Sequence, residues 1–300
     1  MRLHMVLNRD GGTFRTLNMD AYCDRAREVL AGGGHDVSFD VAAAGDIDSA
    51  LEMAAARKDI DAIVAGGGDG TISCAARIAW KAGMPLGVIP AGTMNLFARS
   101  LGLPLDLDAV LAVLAEAEIA PVDISSVNGQ GFIHQFAIGL HPRMVRFRNR
   151  YDFATRLGKI RASTQAAIDV IFDPPSFVVD AEIDGAPERT RVSMISVSNN
   201  PFGPDPLMFQ DRLDTGQLGY YTAPPLPPAG VARLALDILS GRRDRNPHFT
   251  ERRASTARLR FPRHRKSANM VLDGELLPLP REVDIRIHPG ELKVLRPAKA

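Results

Sequence analysis

Ile60-Asp61-Ala62-Ile63-Val64-Ala65-Gly66-Gly67-Gly68-Asp69-Gly70-Thr71 runs from an apolar stretch through a glycine-rich loop into the helical pattern of Ile72 to Ala82. Glycines between a buried strand and a helix let the backbone approach a ligand closely and turn its N–H groups on an anion. The aspartate inside the loop is unexpected in a plain anion cradle, because a carboxylate repels phosphates unless a cation or a proton transfer is involved. The loop therefore reads as a nucleotide-phosphate site with a metal or a nucleophile nearby. It is not a dinucleotide fingerprint, since Thr71 stands at the third glycine position, and no Gly-Lys-Ser/Thr follows to make a Walker loop. A tight strand-to-helix turn would use the same glycines.

Outward from this loop the first 125 residues alternate strand and helix patterns. Leu3 to Leu7 reads as a strand ending in the turn cluster Asn8-Arg9-Asp10-Gly11-Gly12. A helix over Asp20 to Ala31, a strand over His35 to Val41 and a helix ending near Arg57 precede the loop. Pro85 to Ile89 is a further buried strand, followed by Pro90-Ala91-Gly92-Thr93 and a helix from Asn95 to Leu101. Such alternation predicts a parallel sheet covered by helices, with ligands beyond the strand C-termini. The loops Asn8–Thr13, Gly66–Thr71 and Gly92–Asn95 would then share one edge. After about residue 125 short β-type runs dominate, at 131–138, 176–183, 192–198, 219–222, 257–261, 270–272, 283–287 and 292–295. Helical patterns at 162–172 and 229–239 interrupt them, the latter after the rigid Pro224-Pro225-Leu226-Pro227-Pro228 connector. The second half is expected to be a β-sandwich or barrel.

The 300 residues suit two domains, and 45% hydrophobic with 24% charged residues is ordinary for a globular chain. A net charge of +1 argues against general affinity for nucleic acid. The charge is nevertheless uneven. Ten basic residues between Arg242 and Lys266 face only Asp244 and Glu251, a local +8, and seven between Arg143 and Arg161 face only Asp152, a local +6. Patches of this kind suit an anionic lipid surface, or a solvated face neutralised by partners elsewhere, and both readings stay open. Arg146 to Tyr151 interleaves basic and aromatic residues, which suits the same lipid surface. Cys23 and Cys74 make neither a metal spacing nor a disulfide framework, which fits a reducing cytoplasm. No run approaches the 18 or so apolar residues needed to span a bilayer, so membrane contact is expected to be peripheral, on the inner face.

Gly66-Gly67-Gly68-Asp69-Gly70-Thr71, then Gly92-Thr93-Met94-Asn95, then Leu272-Asp273-Gly274-Glu275 occur in an order that resembles the diacylglycerol kinase catalytic-domain family, which includes bacterial lipid kinases, sphingosine kinases and ceramide kinases. The resemblance covers nearly the whole chain. It implies a parallel-sheet α/β domain like those of NAD kinases and phosphofructokinases, formed by residues 1–125 with 283–300. It implies a lipid-binding β-sandwich over residues 126–282. It also implies ATP and Mg²⁺ as cofactors, with Asn8, Gly12, Gly66 to Thr71, Gly92, Thr93 and Asn95 at the nucleotide. Asp69 and Asp123 would carry the magnesium and catalytic roles, Glu275 the general base, and Asp211 and Asp214 a second, structural magnesium. Phosphoryl transfer needs neutralised phosphates, in-line positioning and a base for the acceptor hydroxyl, and these residue types can supply them. Asp273-Gly274 also favours a hairpin turn, which is compatible with a catalytic Glu275.

Three positions depart from the family pattern. Leu96 replaces an acidic residue in the second loop. His141, in Gly139-Leu140-His141, stands where an aspartate often meets the acceptor headgroup, so it is the candidate substrate residue. Phe202-Gly203-Pro204-Asp205 replaces a glycine-rich run. His134, His248, His264 and His288 show no ligand spacing. The resulting expectation is an ATP-dependent kinase acting on a hydroxyl of diacylglycerol, a sphingoid base, ceramide or phosphatidylglycerol. Its partner is lipid at a membrane surface and not nucleic acid, and its oligomeric state is open, a homodimer included. Two alternatives stand beside it: a soluble-substrate kinase of the NAD-kinase type, and a non-catalytic lipid- or nucleotide-binding regulator.

Overall fold

The computed structural model describes residues 1–143, 174–265 and 267–297. The first half alternates as its pattern predicts: β1 (Arg2–Asn8), α1 (Met19–Gly32), β2 (Asp36–Ala42), α2 (Ile47–Ala55), β3 (Ala62–Gly67), α3 (Asp69–Ala82), β4 (Leu86–Pro90) and α4 (Leu96–Ser100). A helix not foreseen, α5 (Leu107–Ala115), starts at Asp106, whose carboxylate accepts from the amides of Asp108 and Ala109. The strands pair in parallel in the order β2-β1-β3-β4. Every residue of β3 and β4 is buried, as expected of strands covered on both faces.

The second half contains β5 (Glu118–Val127), β6 (Gln130–Phe132), β7 (Gln135–Gly139), β8 (Phe177–Ile183), β9 (Ala186–Val192), β10 (Met194–Ser198), β11 (Leu218–Ala223), α6 (Pro228–Leu239), β12 (Thr250–Ala254), β13 (Thr256–Arg260), β14 (Asn269–Leu272), β15 (Glu275–Pro278) and β16 (Glu282–Arg296). One antiparallel sheet runs β12-β11-β10-β7-β14-β15. The other, β13-β8-β9, is joined through β16 to β4, so the parallel sheet continues into the second half. Side chains of both sheets, among them Phe136, Ile195 and Tyr220 from one and Val179, Leu259 and Ile285 from the other, close a shared core. That is a β-sandwich.

The two runs read separately at 283–287 and 292–295 are one long strand. Its partner β5 follows it throughout, with a register shift between His288 and Leu292, at Pro289-Gly290. Val283, Ile285 and Ile287 pack in the sandwich core, whereas Leu292, Val294 and Leu295 pack in the α/β core. Similarly, the run at 131–138 is two strands, broken at Ile133-His134. The helical pattern at 162–172, the segment 146–151 and most of the basic stretch 143–161 lie outside the described residues.

The fate of the larger basic stretch is visible. Arg252 pairs with Glu188 at 2.6 Å, Arg258 with Glu182 and Asp284 at 3.4 and 3.7 Å, and Arg260 with Glu282 at 3.3 Å. These acids come from β8, β9 and β16, far away in sequence. Three of the strand arginines, Arg252, Arg258 and Arg260, are therefore neutralised across the sheet.

Candidate active site

Three loops meet at the C-terminal edge of the parallel strands, and short contacts lock them together. Thr13 N donates to Ala91 O at 2.8 Å, and Ala91 N donates to Gly67 O at 2.9 Å. Buried Asn8, at the end of β1, donates through Nδ2 to Thr71 Oγ1 in α3 at 2.9 Å. Glycine is required where these backbones touch. A Cβ on Gly92 would stand 2.7 Å from Gly68 Cα, and one on Gly12, whose φ is +35°, would overlap Ala91 O. The N-terminal amides of α3, which lack intrahelical partners by helix geometry, open beside this junction. This is a surface to which phosphate oxygens fit.

The carboxylate of Asp69 has a definite role here. Its two oxygens accept from Asn95 N at 3.0 Å and Leu96 N at 2.7 Å. Asn95, held at a φ of +50°, in turn accepts from Gly92 N and donates to Gly92 O, at 2.8 and 3.0 Å. Asp69 thus ties the start of α3 to the second glycine loop.

From Asp69 a cavity of about 540 Å³ extends towards α6. Its polar end carries Asp69, Ser73, His134, Gln135, His141 and Asp273. The remaining wall is almost wholly apolar, with Leu140, Met194, Val231, Leu234 and Phe249 among its side chains. Tyr221 lines it too. Burial pushes its phenol up to about 12, and its Oη accepts from Phe202 N.

Asp273 is the most connected group at the polar end, and its functional weight was missed in the sequence. Its oxygens accept four hydrogen bonds: from Ser73 Oγ at 2.5 Å, Ile133 N and His134 N at 2.9 Å, and Gln135 N at 3.0 Å. It occupies a left-handed position, φ +45°, ahead of Gly274 at φ +88°. The expected hairpin is therefore present between β14 and β15. The turn's aspartate joins α3, the β6–β7 break and the hairpin at one point. A hairpin signal in the sequence carried the turn, but nothing local in it told of partners more than 130 residues away.

His134 was also passed over. It lines the cavity, its ring lies 5.5 Å from that of Phe202, and its buried Nδ1 has no partner among the described residues. Burial lowers its pKa, opposed by the charges of Asp273 and Asp69 and by a hydrogen bond to Gln210. His141 lines the cavity beside Gln135, whose Nε2 is 3.3 Å from His141 Nδ1.

Two groups of expected residues are placed otherwise. Of the expected catalytic residues Asp69, Asp123 and Glu275, only Asp69 lines the cavity. Asp123 is buried in β5, opposite the bulge of β16, and its oxygens accept from Gly216 N at 2.7 Å and Gly290 N at 2.9 Å. It satisfies the Gly290 amide at the register shift and the Gly216 amide in the loop before β11, and it does not line the cavity. Glu275 is exposed at the start of β15, one residue beyond the cavity-lining Gly274. The four proposed magnesium ligands do not converge either. Asp211 lies against Gly203, and Asp214 pairs with Arg212 at 3.0 Å. Among the described residues no three His, Cys, Asp or Glu side chains group to hold a metal. Mg²⁺ fits this edge only as an ion carried largely by phosphates and water, the usual habit of that ion.

Residues 2–127 match the model of the diacylglycerol kinase catalytic domain. The chain is 39% identical over 101 residues to a Klebsiella pneumoniae protein named probable lipid kinase YegS-like, across 33% of this chain and 32% of that protein. It is 28% identical over 240 residues to the diacylglycerol kinase of Bacillus subtilis, across 77% and 76% of the two chains. The chain thus spans about a third of the first curated relatives it matches, 32% and 31% of their lengths. A diacylglycerol kinase structure from Bacillus anthracis superposes with a TM-score of 0.68 over 98% of this chain and 96% of that one, at 16% identity, which speaks for the fold.

Proposed function

We propose, for a chain whose residues 2–127 match the model of the diacylglycerol kinase catalytic domain, that it transfers the γ-phosphoryl group of ATP to a hydroxyl of a membrane lipid. One observation carries this reading: a single cavity has its polar end at the glycine-loop edge and an apolar wall along the rest of its length. An amphiphile matches that division, with its hydroxyl near Asp69, Ser73 and Asp273 and its hydrocarbon along Met194, Leu234 and Phe249.

The chain's own groups suit the remaining tasks. Loop amides and the start of α3 take the nucleotide phosphates, while the Asp69 contacts fix the geometry of the two glycine loops. Magnesium, when bound with the nucleotide, supplies neutralisation of phosphate charge. Glu275 stands next to the polar end, where a short movement of the hairpin brings its carboxylate to the acceptor hydroxyl as general base. His141 faces the headgroup position. The protein acts peripherally at the inner face of a membrane, and no helix among the described residues is long and apolar enough to cross one.

The test is incubation of the purified protein with labelled ATP, Mg²⁺, NAD and a total lipid extract. Label in one lipid species is expected, with loss of label for Glu275→Gln. Label in NAD and in no lipid would overturn the reading, and so would a Glu275→Gln variant as active as the parent.

A further inference from the structure

We propose that α6 and the arginine turn following it seat the protein on an anionic lipid bilayer, over the mouth of the cavity. The lipid-kinase reading supplies the reason for expecting a bilayer. The choice of surface comes from the geometry.

Val231, Leu234, Ala235 and Ile238, at helical spacing, turn one face of α6 into the cavity. An ordinary surface helix would be polar elsewhere. Here Leu236 and Leu239 are 66% and 71% exposed, the highest values for large apolar side chains among the described residues. The exposed prolines 224, 225, 227 and 228 lead directly into the helix. Met94 and Leu207 line the cavity and are still 40% and 38% exposed, so the apolar lining reaches solvent at its mouth.

The turn beside this surface is net positive: its exposed acid, Asp244, is paired with Arg243 at 3.7 Å. Arg242 and Arg245 are exposed and have no acidic partner among the described residues. Between them Arg243 is buried, donating to the carbonyls of Phe202 and Gly203 at 2.9 and 2.6 Å, which anchors the turn. Asp237, an acid on the helix itself, is engaged by Asn246 at 2.7 Å and Arg233 at 3.8 Å. The basic segment 242–266 is therefore divided. Arg252, Arg258 and Arg260 on the strands are paired, and Arg242 and Arg245 of the turn after α6 are left to an external anion. Exposed leucines flanked by free arginines match a bilayer with anionic headgroups. A hydrocarbon chain could pass from that bilayer along Leu207 and Met94 into the cavity without crossing water.

Co-sedimentation with phosphatidylcholine vesicles, with and without phosphatidylglycerol, tests this. The protein should bind the anionic vesicles, less so at high salt. Leu236→Ser with Leu239→Ser should lower the partition coefficient about ten-fold or more. Arg242→Gln with Arg245→Gln should lower it about five-fold per arginine, for the anionic vesicles alone. Arg258→Gln, whose cation is already paired, should bind as the parent does. Retained thermal unfolding establishes that the exposed-site variants are folded. Unchanged partition of the leucine and arginine variants overturns the proposal, as does a parent protein that ignores vesicles. Conversion of a dimer to a monomer by the leucine changes, in light scattering, also overturns it by naming a second copy as the occupant. Phosphorylation of a short-chain, water-dispersed lipid separates the two readings. If it persists in the leucine variant, transfer is independent of docking. If it is absent in the parent while vesicle binding holds, the kinase reading fails and the docking surface stands.

Discussion

Replacing Asp273 by alanine removes the acceptor of four hydrogen bonds that link α3, the β6–β7 break and the β14–β15 hairpin. A hydrogen bond to a charged group contributes about 1.5–3 kcal/mol, so independent bonds would sum to roughly 6–12 kcal/mol. Three features reduce that figure. The four donors share one carboxylate and are not additive. The residue is half-buried beside a cavity, so water can re-solvate part of the amides. Removing the half-buried carboxylate also relieves the cost of its desolvation in the native state. A loss of about 3–4 kcal/mol is expected. Urea unfolding followed by tryptophan fluorescence measures it, because the one tryptophan, Trp80, lies on α3, the helix that Asp273 grips through Ser73. Ser73→Ala combined with Asp273→Ala should show a coupling of about 1 kcal/mol in a double-mutant cycle. Glu275→Gln, at an exposed position, should leave stability within about 0.5 kcal/mol while lowering transfer. If Asp273→Ala unfolds within about 0.5 kcal/mol of the parent, the picture of this carboxylate as the junction of three elements is wrong.

His134 gives a pH prediction. Its folded-state pKa lies below the ordinary 6.5, chiefly through burial. Above 6.5 the imidazole is neutral in both states and costs nothing. As the pH falls below 6.5 the unfolded chain takes up a proton that the native state refuses, so stability drops until the folded pKa is reached. His134→Gln should flatten the fall in melting temperature between pH 7 and 5, and an unchanged slope would contradict the burial argument. The glycine loops allow a matched trio. Gly12→Ala and Gly92→Ala meet backbone atoms and should each destabilise by about 1–3 kcal/mol, or fail to accumulate. Gly70→Ala has open space and, inside α3, should be neutral or slightly stabilising in the same melting assay.

The α/β half was legible in the sequence because its signals are local. An apolar run, a glycine break and a helical period recur in order, and each needs only its neighbours to be read. α5 was legible in principle too, since Asp106 before an apolar stretch is a start signal. The second half resisted reading where the answer depended on distant partners. β9 is mostly exposed and β12 strongly charged, so neither shows a clean alternation, and both exist because β8 and β11 pair with them. The break in β16 at Pro289-Gly290 looks like a strand end from within. It becomes a bulge only because β5 continues alongside it. The basic stretch after 242 could not be divided into paired and free arginines without knowing that Glu182, Glu188, Glu282 and Asp284 face it across strands.

The same distinction explains the site carboxylates. A chain shows that an aspartate is present, not which amides it will meet. Asp69, Asp123 and Asp273 each resolve into a carboxylate accepting two or more backbone N–H groups. For Asp123 one amide belongs to the β16 bulge and the other to the loop before β11, which accounts for an ionisable group in the core. For Asp69 they belong to the neighbouring glycine loop, so a carboxylate that looked out of place in an anion cradle holds the two glycine loops at a fixed separation. Asp69 and Asp273 both border the cavity, one gripping Asn95 and Leu96 and the other gripping Ser73 and the β6–β7 break. α3 is thus clamped near its start to the second glycine loop and one turn later to the sandwich. Any movement that opens the glycine-loop edge to nucleotide must either carry α3, the second loop and the β14–β15 hairpin together or break one of these carboxylate contacts. That couples the position of Glu275, on the same hairpin, to the glycine-loop edge.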